Sequence, residues 1–286
     1  MLPRNVLAIR KTLGTFTEIL TSTTPKSSQV MLMDYPAGSY TGMRTVNKIG
    51  ILDFSMHTAR LANSLRQIQF LGTTAAEDRV VTSGLASLRQ NDVMKKETTN
   101  LSQQPLLAAH FEPLQNPATP RCTVEVQGSP RQQATAKNSQ WVRDRKGILA
   151  SMSKDSNEAL LVDGATQDVY EGLSSNFFVL HRKRQSIITA PLDSVLEGTI
   201  LRSVISVCKE KSIPIEYSCP NLKHIDEWEG AFLSSMSRLV LPIEKMILPG
   251  GLIKQFEPSS TIEFIRDTVQ KECHKRVEYL LSESDL

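Results

Sequence analysis

Four strand-length apolar runs follow one another between Glu158 and Ala190, and no other feature restricts the fold as much. Glu158–Val162, Val169–Glu171, Phe177–His181 and Ile187–Ala190 are separated by turn-forming stretches such as DGATQD and HRKRQ. Short apolar runs punctuated in this way are consecutive strands of an antiparallel meander. Helical periodicity brackets them: Lys137–Met152 reads as a helix before the meander. Residues 196–211 repeat apolar groups at Ile200, Val204, Val207 and Cys208, a helix leading into strand IPIEY. AFLSS (231–235) is a further strand. Ser260-Thr-Ile-Glu263 has the pattern of a capping box opening a last helix, with Ile262, Ile265, Val269, Cys273, Val277 and Leu280 on one face.

The first half mixes the two periods. Residues 29–46 are apolar and β-branched around Pro36-Ala-Gly38, which predicts strand, turn, strand. Residues 55–69 place Met56, Leu61, Leu65 and Ile68 on one side of a helix, with Ser55 as its N-cap. Leu106–Phe111 reads as a strand. The proline-rich, weakly charged Glu112–Arg121 is the best linker, so a domain boundary is expected at 113–121, between a domain spanning 29–112 and one spanning 122–286. Residues 1–28 carry four basic side chains and a single acid at Glu18, the bias of an organelle transit peptide or of a mobile N-terminus. The expected class is α/β (α+β) in two domains, with no internal repeat.

Composition excludes several functions. A net charge of +3 is too small to make nucleic acid or anionic lipid the main partner. No uncharged apolar run approaches the roughly 18 residues of a membrane span. The chain is therefore expected to be soluble and intracellular, either cytoplasmic or in a plastid or mitochondrion. Cys122, Cys208, Cys219 and Cys273 form no CxxC pair and the five histidines are scattered, so no metal site is expected. The clusters Arg143-Asp-Arg145-Lys146 and His181-Arg-Lys-Arg184 read as helix surface and hairpin turn.

Chemistry concentrates in Tyr170-Glu171-Gly172-Leu173-Ser174-Ser175-Asn176-Phe177-Phe178. A glutamate ends one strand, a glycine and two hydroxyls turn the chain, and an apolar strand follows. A carboxylate beside Tyr and Phe-Phe is costly to desolvate unless a cation or a hydrogen-bonded ring nitrogen meets it. The segment resembles the E-G-x-x-S-N-[apolar]-F signature of class-IV pyridoxal-phosphate enzymes. These comprise the branched-chain aminotransferase, D-amino acid aminotransferase and aminodeoxychorismate lyase group. The resemblance spans about residues 30–245 and is nearest to a plant-type aminotransferase-like subgroup.

The resemblance implies the D-amino acid aminotransferase-like PLP fold type IV, with a small N-terminal α/β domain, a larger C-terminal pseudo-barrel α/β domain, and a homodimer. It implies pyridoxal 5'-phosphate as cofactor and transamination between an amino acid and a keto acid. A lyase outcome, or a cofactor-binding homologue without turnover, uses the same parts. Glu171 matches the residue that pairs with the pyridine nitrogen. Lys137 lies 21 residues before Glu158 and 34 before Glu171, near the family spacing of the Schiff-base lysine, whereas Lys146 lies only 12 before Glu158. His57-Thr-Ala-Arg60-Leu61 is similar to the H-x-x-R-L helix whose arginine holds the phosphate. Leu196-Glu197-Gly198-Thr199-Ile200 is similar to the turn whose backbone N–H groups, here of Thr199 and Ile200, meet that phosphate.

Three positions depart from the pattern. In Ser234-Ser235-Met236-Ser237, Met236 replaces the customary threonine, which leaves Ser235 or Ser237 as hydroxyl donors. Gly38-Ser39-Tyr40-Thr41 keeps the aromatic residue near the substrate, Tyr40, but has Thr41 in place of an acid. Trp141 stands where branched-chain enzymes place a tyrosine. Arg131 and Arg44 are candidates for the substrate carboxylate.

Overall fold

The computed structural model describes residues 5–13, 16–47, 49–68, 107–114 and 119–280. The N-terminal part opens with β1 (Asn5–Leu13), β2 (Phe16–Thr24) and α1 (Ser28–Asp34), followed by β3 (Thr45–Val46), β4 (Gly50–Leu52), α2 (Phe54–Gln67) and β5 (Leu107–Phe111). Then come β6 (Cys122–Val126), α3 (Gln140–Asp144) and α4 (Lys146–Ser151), and the meander β7 (Glu158–Val162), β8 (Val169–Gly172), β9 (Asn176–His181) and β10 (Ile187–Thr189). Helix α5 (Thr199–Glu210) leads to β11 (Ile215–Tyr217), β12 (Trp228–Ser235), β13 (Leu239–Ile247) and β14 (Ile253–Gln255). Helix α6 (Ser260–Lys275) and β15 (Val277–Tyr279) close the described chain.

The C-terminal strands form a mixed sheet that closes on itself. β9 pairs with β12, β12 with β13, β13 with β6, β6 with β7 and β7 with β8, and β8 returns to β9 through the single pair Glu171↔Asn176. The expected meander is antiparallel throughout. The sheet is mixed because β6 runs parallel to both β7 and β13. It is a pseudo-barrel, as the fold type requires.

Burial on both faces explains the consecutive apolar residues of β9. Phe177 and Val179 pack with Val124, Leu160, Trp228 and Leu233, while Phe178 and Leu180 face a second cluster built with α5 and α6. Phe178 stacks on Phe232 with ring centroids 4.7 Å apart, a geometry that holds β9 and β12 in register.

In the N-terminal part, β1 pairs with β2 and with β5, so residues 5–13 and 16–24 belong to one small sheet. A second small sheet joins β3, β4 and β15, and Arg276 pairs with Asp53 at 2.8 Å. The end of the described chain thus returns to the N-terminal part. Leu106 and residues 115–118, within the expected strand and linker, lie outside the described residues.

Several local expectations are corrected. Residues 28–34 are helical, because Ser27 caps the backbone N–H of Val30 and overrides the β-branched pattern. The N-cap of α2 is Asp53. Ser55 sits one residue inside the helix, where its N–H and hydroxyl both donate to the Glu278 carboxylate. Lys137–Met152 is two short helices that meet at Arg145, with Lys137 in the preceding turn. The last helix starts one residue earlier than a capping box would set it. Its N-cap, Ser259, donates its hydroxyl to Glu229, and Val277 belongs to β15.

Candidate functional site

Lys137 is fixed by backbone contacts with two segments distant in sequence. Its N–H donates to Ser64 Oγ on α2 at 3.1 Å, and its carbonyl accepts from the N–H of Tyr40 at 3.1 Å. Flanking bonds from Ser139 N–H to the Gly38 carbonyl and from Gly38 N–H to Ser139 Oγ lock the same junction. The Lys137 ammonium group lies 4.7 Å from the centroid of the Tyr40 ring. Burial pushes its pKa down. Tyr40 opposes that shift, while the charges of Arg60, Arg131 and Arg145 add to it. Burial would raise the Tyr40 hydroxyl, but the charges of Lys137, Arg145 and Arg131 outweigh it and hold it below the usual range.

Glu171 sits at the seam where β8 meets β9, and its side chain is 5% exposed. Oε1 accepts from Arg131, with Nε at 2.8 Å and Nη2 at 2.6 Å, and Oε2 accepts from the Leu196 N–H at 3.3 Å. Burial raises this carboxyl while Arg131 and the Leu196 bond hold it down, and the net direction is upward. Arg131 donates as well to the Ala134 carbonyl and lies 5.3 Å from the Trp141 ring centroid. Trp141 in turn donates Nε1 to the Leu173 carbonyl at 2.8 Å.

Arg60, on α2, points into a different environment. Its Nη2 donates to Thr41 Oγ1 at 2.8 Å and to His57 Nδ1 at 3.1 Å, and its buried Nε has no partner among the described residues. Because Arg60 can only donate, His57 Nδ1 accepts, and the ring proton belongs on Nε2, also buried and unpartnered. Burial, then the charges of Arg60 and Lys137, brings the His57 pKa to about 3, so the ring is neutral. Burial lowers Arg60 to about 10, which still leaves it charged at neutral pH. Thr41 therefore has a role as hydroxyl partner of both groups.

Thr199 and Ile200 are the first two residues of α5, whose N-cap Gly198 offers no side chain. The first N–H groups of a helix lack intrahelical partners and favour an anion. Asn176 holds the approach to this turn by donating Nδ2 to the Leu196 carbonyl at 2.7 Å. A Cβ on Gly198 would come within 2.5 Å of its Oδ1. In the β12–β13 turn, Ser235 Oγ meets Ser237 Oγ at 3.3 Å, and Ser234 Oγ is buried without a partner. Met236 packs against the apolar cluster beneath α5. Arg44 clamps the turn by donating to the Met236 and Ser237 carbonyls.

Lys137, Tyr40 and Glu171 are joined through shared charges, and Arg60 acts on both Lys137 and Tyr40. Five participants had no such role in the sequence reading. The Arg131–Glu171 pair spans 40 residues, beyond the reach of local periodicity. His57 was legible only as part of the H-x-x-R-L helix. Asn176 was quoted within the Glu171 segment without a role. Arg143 and Arg145 are not a solvated helix face: Arg143 donates to the Leu32, Met33 and Ser139 carbonyls, and Arg145 Nη1 donates to the Leu173 carbonyl at 2.6 Å. Both reach inward because α3 and α4 are short and break at Arg145.

The donor set fits the pyridoxal phosphate implied by the sequence. An amine with a depressed pKa suits an aldehyde, and a buried acid suits a ring nitrogen. The unpartnered donors of Arg60, His57 and Ser234 and the bare start of α5 suit a phosphate.

Comparison with curated proteins returned no match. Among solved structures, the T.th. branched-chain amino acid aminotransferase with pyridoxamine 5'-phosphate superposes with a TM-score of 0.69. It is 16% identical, and the alignment covers 98% of this chain and 100% of that one. The branched-chain aminotransferase of Thermoproteus uzoniensis gives 0.62 at 16% identity, covering 97% and 90%. That of Escherichia coli gives 0.62 at 14%, covering 82% and 85%. These likenesses show the fold. The family model for amino-transferase class IV matches residues 38–246, which takes in Tyr40, Arg60, Lys137, Glu171 and the β12–β13 turn, and the chain therefore belongs to the class IV aminotransferases.

Proposed function

We propose that this protein is a pyridoxal-phosphate-dependent transaminase that moves an amino group between an amino acid and a keto acid, with Lys137 as its catalytic residue. The observation that carries the reading is the state of Lys137: a desolvated amine beside Tyr40, its pKa depressed, with no ion pair among the described residues. An amine in that state is a readier nucleophile and proton carrier than an exposed lysine. When bound, the cofactor supplies an electron sink for the charge that develops on the substrate's α-carbon. Lys137 Nζ would hold the cofactor and carry the substrate's α-proton. Glu171 holds the ring nitrogen, and Arg131 keeps its carboxylate oriented. Arg60, the N–H groups of Thr199 and Ile200, and Ser235 bind the phosphate. Tyr40 lines the substrate side. The PAGSYTxMRT, YEGLSSNFF and SRLVLPI segments support the plant-type subgroup. The working form is a homodimer, each subunit having two domains joined by a linker at residues 113–121.

The purified protein should show the visible absorbance of the lysine-bound cofactor, and Lys137→Ala should lose it. Amino acids of one hand should then convert the band to the pyridoxamine form, and a keto acid should restore it. Irreversible release of a keto product would indicate the lyase reading. A second reading, a homologue that binds the cofactor without turnover, is favoured by Met236, whose side chain offers the phosphate no hydroxyl. It predicts a stable band that no amino acid changes. A colourless protein that takes up no added cofactor contradicts both.

A further inference from the structure

Three arginines depress the Lys137 amine: Arg60, Arg131 and Arg145. Two are accounted for. Arg131 is paired with Glu171, and Arg60 opens on the unpartnered donors of the phosphate end. The other carboxylate candidate, Arg44, is likewise committed, to the Met236 and Ser237 carbonyls. Arg145 differs from all of them. Its one hydrogen bond among the described residues runs from Nη1 to the Leu173 carbonyl, an acceptor already shared with Trp141, and its Nε is buried with no partner.

The position of Arg145 is set from two sides. Leu173 follows Glu171 by two residues, and Trp141, which shares that carbonyl, lies under the guanidinium of Arg131. Its charge is felt at the Tyr40 hydroxyl and at the Lys137 amine, and it makes no ion pair among the described residues. A guanidinium held this way, with part of its fork unfilled, is complementary to one planar anion. The phosphate has its own donors elsewhere, so the remaining anion is a carboxylate of the substrate.

We infer that Arg145 is the specificity residue that receives the substrate carboxylate, selecting amino acids over simple amines. The inference rests on the reading of Lys137 as the cofactor lysine.

The test uses the cofactor-loaded protein and follows loss of the visible band under single-turnover conditions. The probes are L-alanine and D-alanine, which carry the carboxylate in opposite hands, and ethylamine, which lacks it. Wild type should react faster with alanine of one hand than with ethylamine. Arg145→Gln should keep its visible band while that ratio falls on the order of 10- to 100-fold, the usual cost of a lost charge-assisted pair. Arg145→Lys should recover part of the ratio, and acetate should compete with alanine in wild type more than in Arg145→Gln. Should Arg145→Gln fail to fold, Arg145→Lys and the acetate competition in wild type carry the test. An unchanged ratio in the variants, or no preference for alanine of either hand in wild type, overturns the inference while the band leaves the cofactor reading standing. A wild-type protein without the band overturns that reading, and the role of Arg145 with it.

Discussion

The two ends of the candidate cofactor site are built in opposite ways. At the ring end, the buried charge is already neutralised: Glu171 is met by Arg131 and the Leu196 N–H, and Arg131 rests against Trp141. At the phosphate end, Arg60 Nε, His57 Nε2 and Ser234 Oγ are buried without partners, and α5 begins without a side-chain cap. A completed buried pair is costly to break whether or not a ligand is present, whereas unpartnered donors cost stability until an anion arrives. On the proposed reading the ring end belongs to the scaffold, and cofactor binding at the phosphate end would add stability.

That contrast breaks most directly at the ring end. Arg131→Met leaves Glu171 buried without its cation, and denaturant unfolding of the apo-protein should show a loss of about 3–5 kcal/mol. The matching truncation at the other end, Arg60→Met, should cost the apo-protein much less, because among the described residues Arg60 meets Thr41 and His57 but no carboxylate. Its cost should appear in cofactor affinity, about 1.5–3 kcal/mol or roughly 10- to 150-fold in Kd by titration. Equal losses of apo stability in the two variants would erase the distinction.

His57 sharpens the comparison through pH. Burial, then the charges of Arg60 and Lys137, holds its folded pKa at about 3 against 6.5 for the free side chain. As the pH falls the unfolded chain takes up the proton first, so apo stability should decline by roughly 1.4 kcal/mol per pH unit between those values. The decline should be shallower in His57→Gln, measured by unfolding midpoints across that range. The smallest effect belongs to Met236→Thr, which returns a hydroxyl to the β12–β13 turn. Cofactor affinity should rise by about 1 kcal/mol, roughly fivefold, while apo stability falls modestly with the lost packing of Met236 on the apolar cluster.

Legibility in the sequence followed the range of the interactions. The meander from β7 to β10 was visible because each strand is bounded by its own turn, and the periodic faces of α5 and α6 were visible for the same reason. Helix starts were misplaced where a distant residue decides them. Ser55 lies inside α2 because Glu278 satisfies its N–H, and Ser259 displaces Ser260 as the cap of α6. Residues 28–34 became helical through Ser27, a local cap that the β-branched pattern obscured. At the site, Lys137 and Glu171 were candidates through the family resemblance of the Glu171 segment and its spacing, but Arg131 was left as a carboxylate candidate because its partner is set by barrel closure. Arg145 was read as solvated because one helix was expected where two meet.

The central claim is that Lys137 is the cofactor-linked amine. Borohydride treatment of the coloured protein, followed by proteolysis and mass spectrometry, should place a phosphopyridoxyl group on the peptide carrying Lys137 and leave Lys146 unmodified. Label on Lys146 or any other lysine, with Lys137 bare, would contradict the account.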